Sequence, residues 1–109
     1  MNTKNRSVAK ELTTANQDIY TVPSQWSAKV SSILIANETD DAVSVDLDWY
    51  QAADTTYYTF AKSINVPSNS IIQITDSLYL QSQDKLRGLA SANSAVTVTV
   101  TTYEHFKNA

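Results

Sequence analysis

The one histidine, His105, follows Glu104 in the run Thr101-Thr102-Tyr103-Glu104-His105-Phe106. A carboxylate beside an imidazole is a pairing that general acid–base catalysis or a metal ion would use. The residues before it alternate Val and Thr, however, so the run reads as a strand, and adjacent strand residues point to opposite faces. The two side chains therefore diverge, and with no second histidine and no cysteine the ligands of a zinc site are missing. Asp46 and Asp48 do share a strand face, roughly 6.5–7 Å apart along the chain, with Asp40 and Asp41 in the preceding turn. Calcium takes six or more converging oxygens, and no D-x-D-x-D-G loop accompanies these acids. A glycosidase pair would need a cleft between its carboxyl groups. A charged strand face that discourages edge-to-edge association accounts for both residues. Serine and threonine are abundant, but no G-x-S-x-G elbow, triad pattern or glycine-rich phosphate loop is present. The expectation is a protein that is not an enzyme and holds no metal or cofactor.

The remaining residues with recognition chemistry are aromatic or basic. Trp49 closes an alternating run on its apolar side and reads as core. Tyr57 and Tyr58 are consecutive in one strand, so one of them must face outward. Trp26 lies in the polar corner Pro23-Ser24-Gln25-Trp26 and is either a lid over the sandwich end or an interface anchor. Exposed Trp and Tyr supply large contact area at little entropic cost. Lys4, Arg6 and Lys10 fall among the first ten residues, which contain no acid, so the chain's net charge of −3 divides into a basic start and a remainder of −6. An acidic body argues against a nucleic-acid groove, which needs clustered cations to replace counterions. A basic arm on an acidic body suits protein partners, and Lys4, Arg6, Lys10, Trp26, Tyr57 and Tyr58 are the candidate partner-contacting residues.

The elements that position these residues are strands. Val43, Val45, Leu47 and Trp49 alternate with Ser44, Asp46, Asp48 and Tyr50, and Val96, Val98 and Val100 alternate with Thr97, Thr99 and Thr101. Such period-two patterns describe antiparallel strands with one buried and one wet face. Further strands are expected near 17–22, 28–37, 55–61, 70–75, 77–81 and 85–90, separated by Asn, Asp, Ser and Pro clusters. About eight strands imply a single antiparallel β-sandwich of jelly-roll or Greek-key type. Residues 1–15 form an arm expected to run extended, and residues 16–109 form the sandwich. Gly88, the one glycine, sits within a strand pattern, where a bulge or a close backbone approach explains it.

A chain of 109 residues fits one domain with one core. The longest apolar run, Ile33 to Ala36, is far too short to span a bilayer, and the basic start is not followed by a secretory apolar region. No membrane association is expected, and the lack of cysteine fits cytoplasmic synthesis.

The order of features is similar to a known group. "DIYTVPSQWSAKVSSILIANET" leads to "AVSVDLDWY", "TTYYTFAKS", "INVPSNSIIQI" and "SLYLQSQDKLRGLASANSAVTVTVTTYE". This series, over residues 18–104, resembles the small β-sandwich virion proteins of tailed bacteriophages, which include capsid decoration (cement) proteins and neck or tail adaptors. The elements carrying it are Tyr20-Thr21-Val22-Pro23, Ala36-Asn37, Val66-Pro67, Leu80 with Asp84, and Glu104. Where such sequences often place glycine, this one has Ser24-Gln25 and Gln81-Ser82-Gln83. The resemblance implies a structural virion protein without catalytic residues, most simply a decoration protein that binds the major capsid protein or other virion subunits on the outer capsid surface. It also implies a homo-oligomer, with a trimer favoured. The alternatives are a neck, collar or tail adaptor, and, from another class, a carbohydrate-binding module using Trp26 with Tyr57 or Tyr58 as a stacking platform.

Overall fold

A computed structural model describes residues 3–75 and 77–106. Met1 and Asn2 of the expected arm, Asp76, and Lys107, Asn108 and Ala109 of the expected sandwich lie outside the described residues. The described residues form nine strands: β1 (Thr3–Glu11), β2 (Gln17–Thr21), β3 (Trp26–Asn37), β4 (Val43–Gln51), β5 (Thr56–Val66), β6 (Ile71–Ile74), β7 (Leu78–Leu80), β8 (Lys85–Ala90) and β9 (Val96–Phe106). They make two antiparallel sheets. One runs β1-β9-β3-β6, with β7 also on β3; the other runs β2-β8-β4-β5. β6 pairs with Ile33–Ala36 and β7 with Ala28–Val30, so the two are halves of one interrupted edge strand. Counted that way, eight strands lie in the orders 1-8-3-6 and 2-7-4-5, and β4–β5 is the one hairpin between sequence neighbours within a sheet. This is a jelly roll, and it decides between the two expected topologies. Its first strand comes from the expected arm: Thr3–Glu11 pairs along its whole length with β9, from Thr3↔His105 to Glu11↔Thr97.

The core lies between the sheets and follows the alternation. β9 buries Val96, Val98 and Val100, β4 buries Val43, Val45 and Leu47, and β8 buries Leu86 and Ala90. In β3 the buried set changes parity, from Ala28 and Val30 to Ile33 and Ile35, because a bulge between Val30 and Ser32 inserts one residue. Gly88 lies under the Asp46–Leu47 backbone. A Cβ there would stand 2.8 Å from the Asp46 carbonyl oxygen and 2.9 Å from Leu47 Cδ2, which establishes close backbone approach as its reason.

Polar residues buried in this core act as fasteners. Asn37 ends β3 and donates to the carbonyls of Asp41, Val66 and Pro67 at 2.8, 3.1 and 3.2 Å, while its own oxygen accepts from the Thr39 amide at 2.9 Å. Asp84 accepts from the Gln81 amide at 2.9 Å, the Ala52 amide at 3.0 Å and the Trp49 indole at 3.3 Å. The corners before β3 and β8 close through Trp26 N–H to Pro23 O and Asp84 N–H to Gln81 O, with Gln25 and Gln83 left-handed at φ 70° and 71°. Glutamine thus stands at two positions whose backbone favours glycine.

Candidate functional site

The inner face of β9 continues past Val100 into Thr102 and Glu104, both buried. The Glu104 carboxylate is fully enclosed between the sheets. Tyr20, inward-facing on β2, donates its hydroxyl hydrogen to Glu104 Oε2. From β1, Lys4 Nζ stands 3.6 Å from Oε1 and Arg6 Nη1 3.9 Å from Oε2. Register explains the gathering: Lys4 faces Glu104 and Arg6 faces Thr102 across the ladder, so both cations point inward along with Val8. Burial first, and then the hydrogen bond to Glu104, push the Tyr20 phenol above its ordinary range. His105 lies on the opposite, exposed face, as strand alternation requires.

Trp26 joins the same end of the sheet. It is the first residue of β3 rather than part of a free corner, and it is half-buried. It packs at 5.4 Å against Phe106, its partner in the ladder, and carries the Lys4 ammonium 4.5 Å over its ring. The structure therefore brings Lys4, Arg6 and Trp26 together around Glu104. Lys10 is four residues further along the strand from Arg6, opposite Val98.

Tyr57 and Tyr58 belong to the other sheet and point to its two faces. Tyr57 lies against Tyr50 at 4.7 Å, with the Arg87 guanidinium stacked 3.4 Å over its ring. Tyr58 packs on Trp49 and donates its hydroxyl hydrogen to Asp54 at 2.8 Å. The two tyrosines therefore do not share a face. The acidic pair on the same sheet differs from a solvated face at one position. Asp48 is buried, accepting from Thr59 at 2.8 Å and from Arg87 Nε at 2.9 Å. Asp46 accepts the Ser63 amide at 2.6 Å where β5 bulges. Among the described residues, no three His, Cys, Asp or Glu side chains gather to hold a metal, and no helix is long and apolar enough to cross a membrane.

The outer face of the β1-β9-β3-β6/β7 sheet carries a feature that the sequence reading did not single out. Lys29 on β3 pairs with Tyr103 of β9 on one side and Tyr79 of β7 on the other. The two tyrosines are 44% and 65% exposed, and they flank the lysine in a row across three strands. Ser27, Gln81 and His105 border the same shallow depression. The row is two exposed aromatic rings around one cation on an otherwise Thr- and Ser-rich sheet, and exposed tyrosine is a residue type enriched at protein interfaces.

No family model matches this sequence, and no curated protein matches it. Solved structures with the same fold are found. A subunit from Bacillus endospore appendages, described as disulfide-linked pili, is 17% identical with a TM-score of 0.57, covering 95% of this chain and 86% of that one. A chain from the acid-stable capsid of Helicobacter pylori bacteriophage KHP30 is 7% identical with a TM-score of 0.58, covering 99% and 90%. A chain from the T13 particle of infectious bursal disease virus is 8% identical with a TM-score of 0.59; it covers 95% of this chain, which spans 31% of that longer one. At these identities the likeness is one of fold.

Proposed function

We propose that this chain is a structural protein of a bacteriophage virion, a decoration protein that binds the major capsid protein on the outer surface of the shell as a homo-oligomer. The observation that carries the reading is the Tyr79–Lys29–Tyr103 row on the exposed outer face of its sheet. It is an aromatic patch with a central cation, built for a protein surface rather than for a small molecule in a cleft. The jelly roll that this chain shares with the phage KHP30 capsid chain, nearly end to end in both, supports the same reading, as does the ordered series of motifs between residues 18 and 104. Many identical contacts of ordinary strength, repeated over a shell, add up to resistance against internal pressure.

The test is the copy number of this protein in purified particles relative to the major capsid protein, by quantitative mass spectrometry. A number comparable to the capsid protein is expected. A single ring's worth of copies would move the protein to the neck or tail, and absence from the particle would overturn the reading.

A further inference from the structure

β1 is an edge strand whose ladder partner among the described strands is β9, as β2, β5, β6 and β7 each have one partner, and it differs from those in how little of it packs on the core. Thr3, Asn5, Ser7, Ala9 and Glu11 line the outer face, and of the inward-facing residues Lys4, Arg6, Val8 and Lys10, Val8 is the one packed on the core. Detaching β1 would therefore uncover little apolar surface of its own. The chain is fastened to the body at the next residue. Leu12 is fully buried, its amide bonds Val96 O at 2.9 Å and its carbonyl accepts from Ser94 at 3.2 Å. Thr13 O accepts from Ala90 and the Thr14 amide bonds Asn93 Oδ1, each at 2.9 Å. These contacts make Leu12 the point about which Thr3–Glu11 would pivot on leaving β9.

The site left behind is specific. It has an open nine-residue ladder along β9, the buried row Val98, Val100, Thr102 and Glu104, and a carboxylate whose two cations, Lys4 and Arg6, both come from β1. An uncompensated buried carboxylate is costly, so the emptied site selects a basic strand of this register. A second copy of the chain supplies that strand with every contact preserved. The exchanged strand, +2 from Lys4, Arg6, Lys10 and Glu11, and the −5 remainder attract each other between copies as they do within one.

We propose that β1 is exchanged between copies, so that Lys4 and Arg6 of one subunit neutralise Glu104 of the next. Because the contacts are the same in both forms, local concentration decides between them. An isolated chain keeps its own β1, and a crowded array favours donation from subunit to subunit. The exchange concerns the chain alone and holds whether or not it decorates a shell.

Ser7 Oγ and Thr101 Oγ1 lie 3.2 Å apart at facing ladder positions, and the sequence has no cysteine, so a disulfide placed there reports the pairing directly. Full-length Ser7→Cys and Thr101→Cys variants, unfolded together, refolded at high concentration and oxidised with a glutathione couple, should give a mixed dimer joined between positions 7 and 101. Its yield should exceed by at least tenfold that of Ser7→Cys paired with Ser68→Cys, whose cysteine lies in the exposed β5–β6 turn. Adding Lys4→Glu and Arg6→Glu to the Ser7→Cys chain should return the yield to the control level. Equal yields from the two pairings, with a Ser7→Cys/Thr101→Cys double variant closing wholly within single chains, would overturn the proposal. A mixed dimer untouched by the charge reversals would overturn the role of Glu104. Because purified protein is used without capsid, failure here leaves the virion reading standing.

Discussion

Tyr20 on β2 donates its hydroxyl hydrogen to the Glu104 carboxylate on β9, so the two sheets are fastened inside the core through an acid that solvent does not reach. A buried hydrogen bond to a charged acceptor is expensive to break on one side only. Tyr20→Phe keeps the ring and removes the donor, and a loss of about 1–3 kcal/mol is expected. Glu104→Ala leaves a cavity and an unpaired buried Tyr20 hydroxyl, for a loss of about 2–5 kcal/mol, while the half-exposed Lys4 and Arg6 return to water at little cost. Glu104→Gln keeps the shape and an acceptor for Tyr20, so it should fall between wild type and Ala. Urea unfolding of the four proteins checks the order.

Alkaline stability follows from the same contact. Tyr20 keeps its proton beyond the ordinary tyrosine range of about 10, first because burial disfavours the phenolate and then because Glu104 accepts its hydrogen. Below that pH the folded and unfolded chains both hold the proton and stability is flat in this group. As the pH rises above it, the unfolded chain releases a proton that the folded chain retains, so stability falls. Tyr58 is raised in the same direction by its hydrogen bond to Asp54, but it is solvent-exposed, so its contribution is small. The urea midpoint should decline from pH 9.5 upward, with a shallower slope in Tyr20→Phe and little change in Tyr58→Phe. Equal slopes in all three would assign the alkaline loss elsewhere.

Gly88 offers a test of packing rather than charge. The added methyl of Gly88→Ala meets the Asp46 carbonyl, which the β4–β8 ladder holds in place, as well as Leu47 Cδ2 and Ile19 Cδ1 at 2.9 and 3.3 Å. The side chains can turn away but the carbonyl cannot, so a loss of about 1–3 kcal/mol is expected from overpacking. Thermal melting checks it, since about 1 kcal/mol moves the midpoint of a domain near this size by roughly 4–8 °C.

How far the sequence revealed the fold depended on whether each signal was local. The Val-rich alternations of β4 and β9 are local, and they specified class, strand direction and most of the core. β1 carries no such signal. Its inner row is Lys4, Arg6, Val8 and Lys10 and its outer row is polar, so it is a strand because β9 offers it a ladder ninety residues away in sequence. Asn37, Asp84 and Glu104 were among the residues that carried the resemblance, but their burial was not legible, since each is satisfied by partners on distant elements. Asp48 is buried for the same kind of reason, beneath Arg87 of a neighbouring strand. The left-handed corners at Gln25 and Gln83 fall in the two stretches where similar sequences place glycine, but glutamine by itself does not announce a positive φ. Tyr103 was readable as outward-facing, yet its alignment with Lys29 and Tyr79 exists because β9, β3 and β7 lie side by side, which no stretch of sequence contains.

That alignment yields the prediction closest to function. Tyr79 and Tyr103 are among the exposed large side chains of the protein, and neither takes part in the core. Tyr79→Ala and Tyr103→Ala should therefore leave the melting temperature nearly unchanged, because surface substitutions away from packed features cost within about 0.5 kcal/mol. Aromatic anchors at an interface commonly contribute about 2 kcal/mol or more each. On a roughly thirtyfold-per-anchor scale, the double variant should lose most of its binding to purified shells in a co-sedimentation assay. Lys29→Glu should weaken binding further if the partner surface is acidic. Tyr57→Ala on the opposite sheet is the control, a tyrosine about as exposed as Tyr103 on a face outside the proposed contact. Loss of shell binding in Tyr57→Ala with retention in Tyr79→Ala/Tyr103→Ala would place the contact on the β2-β8-β4-β5 sheet instead.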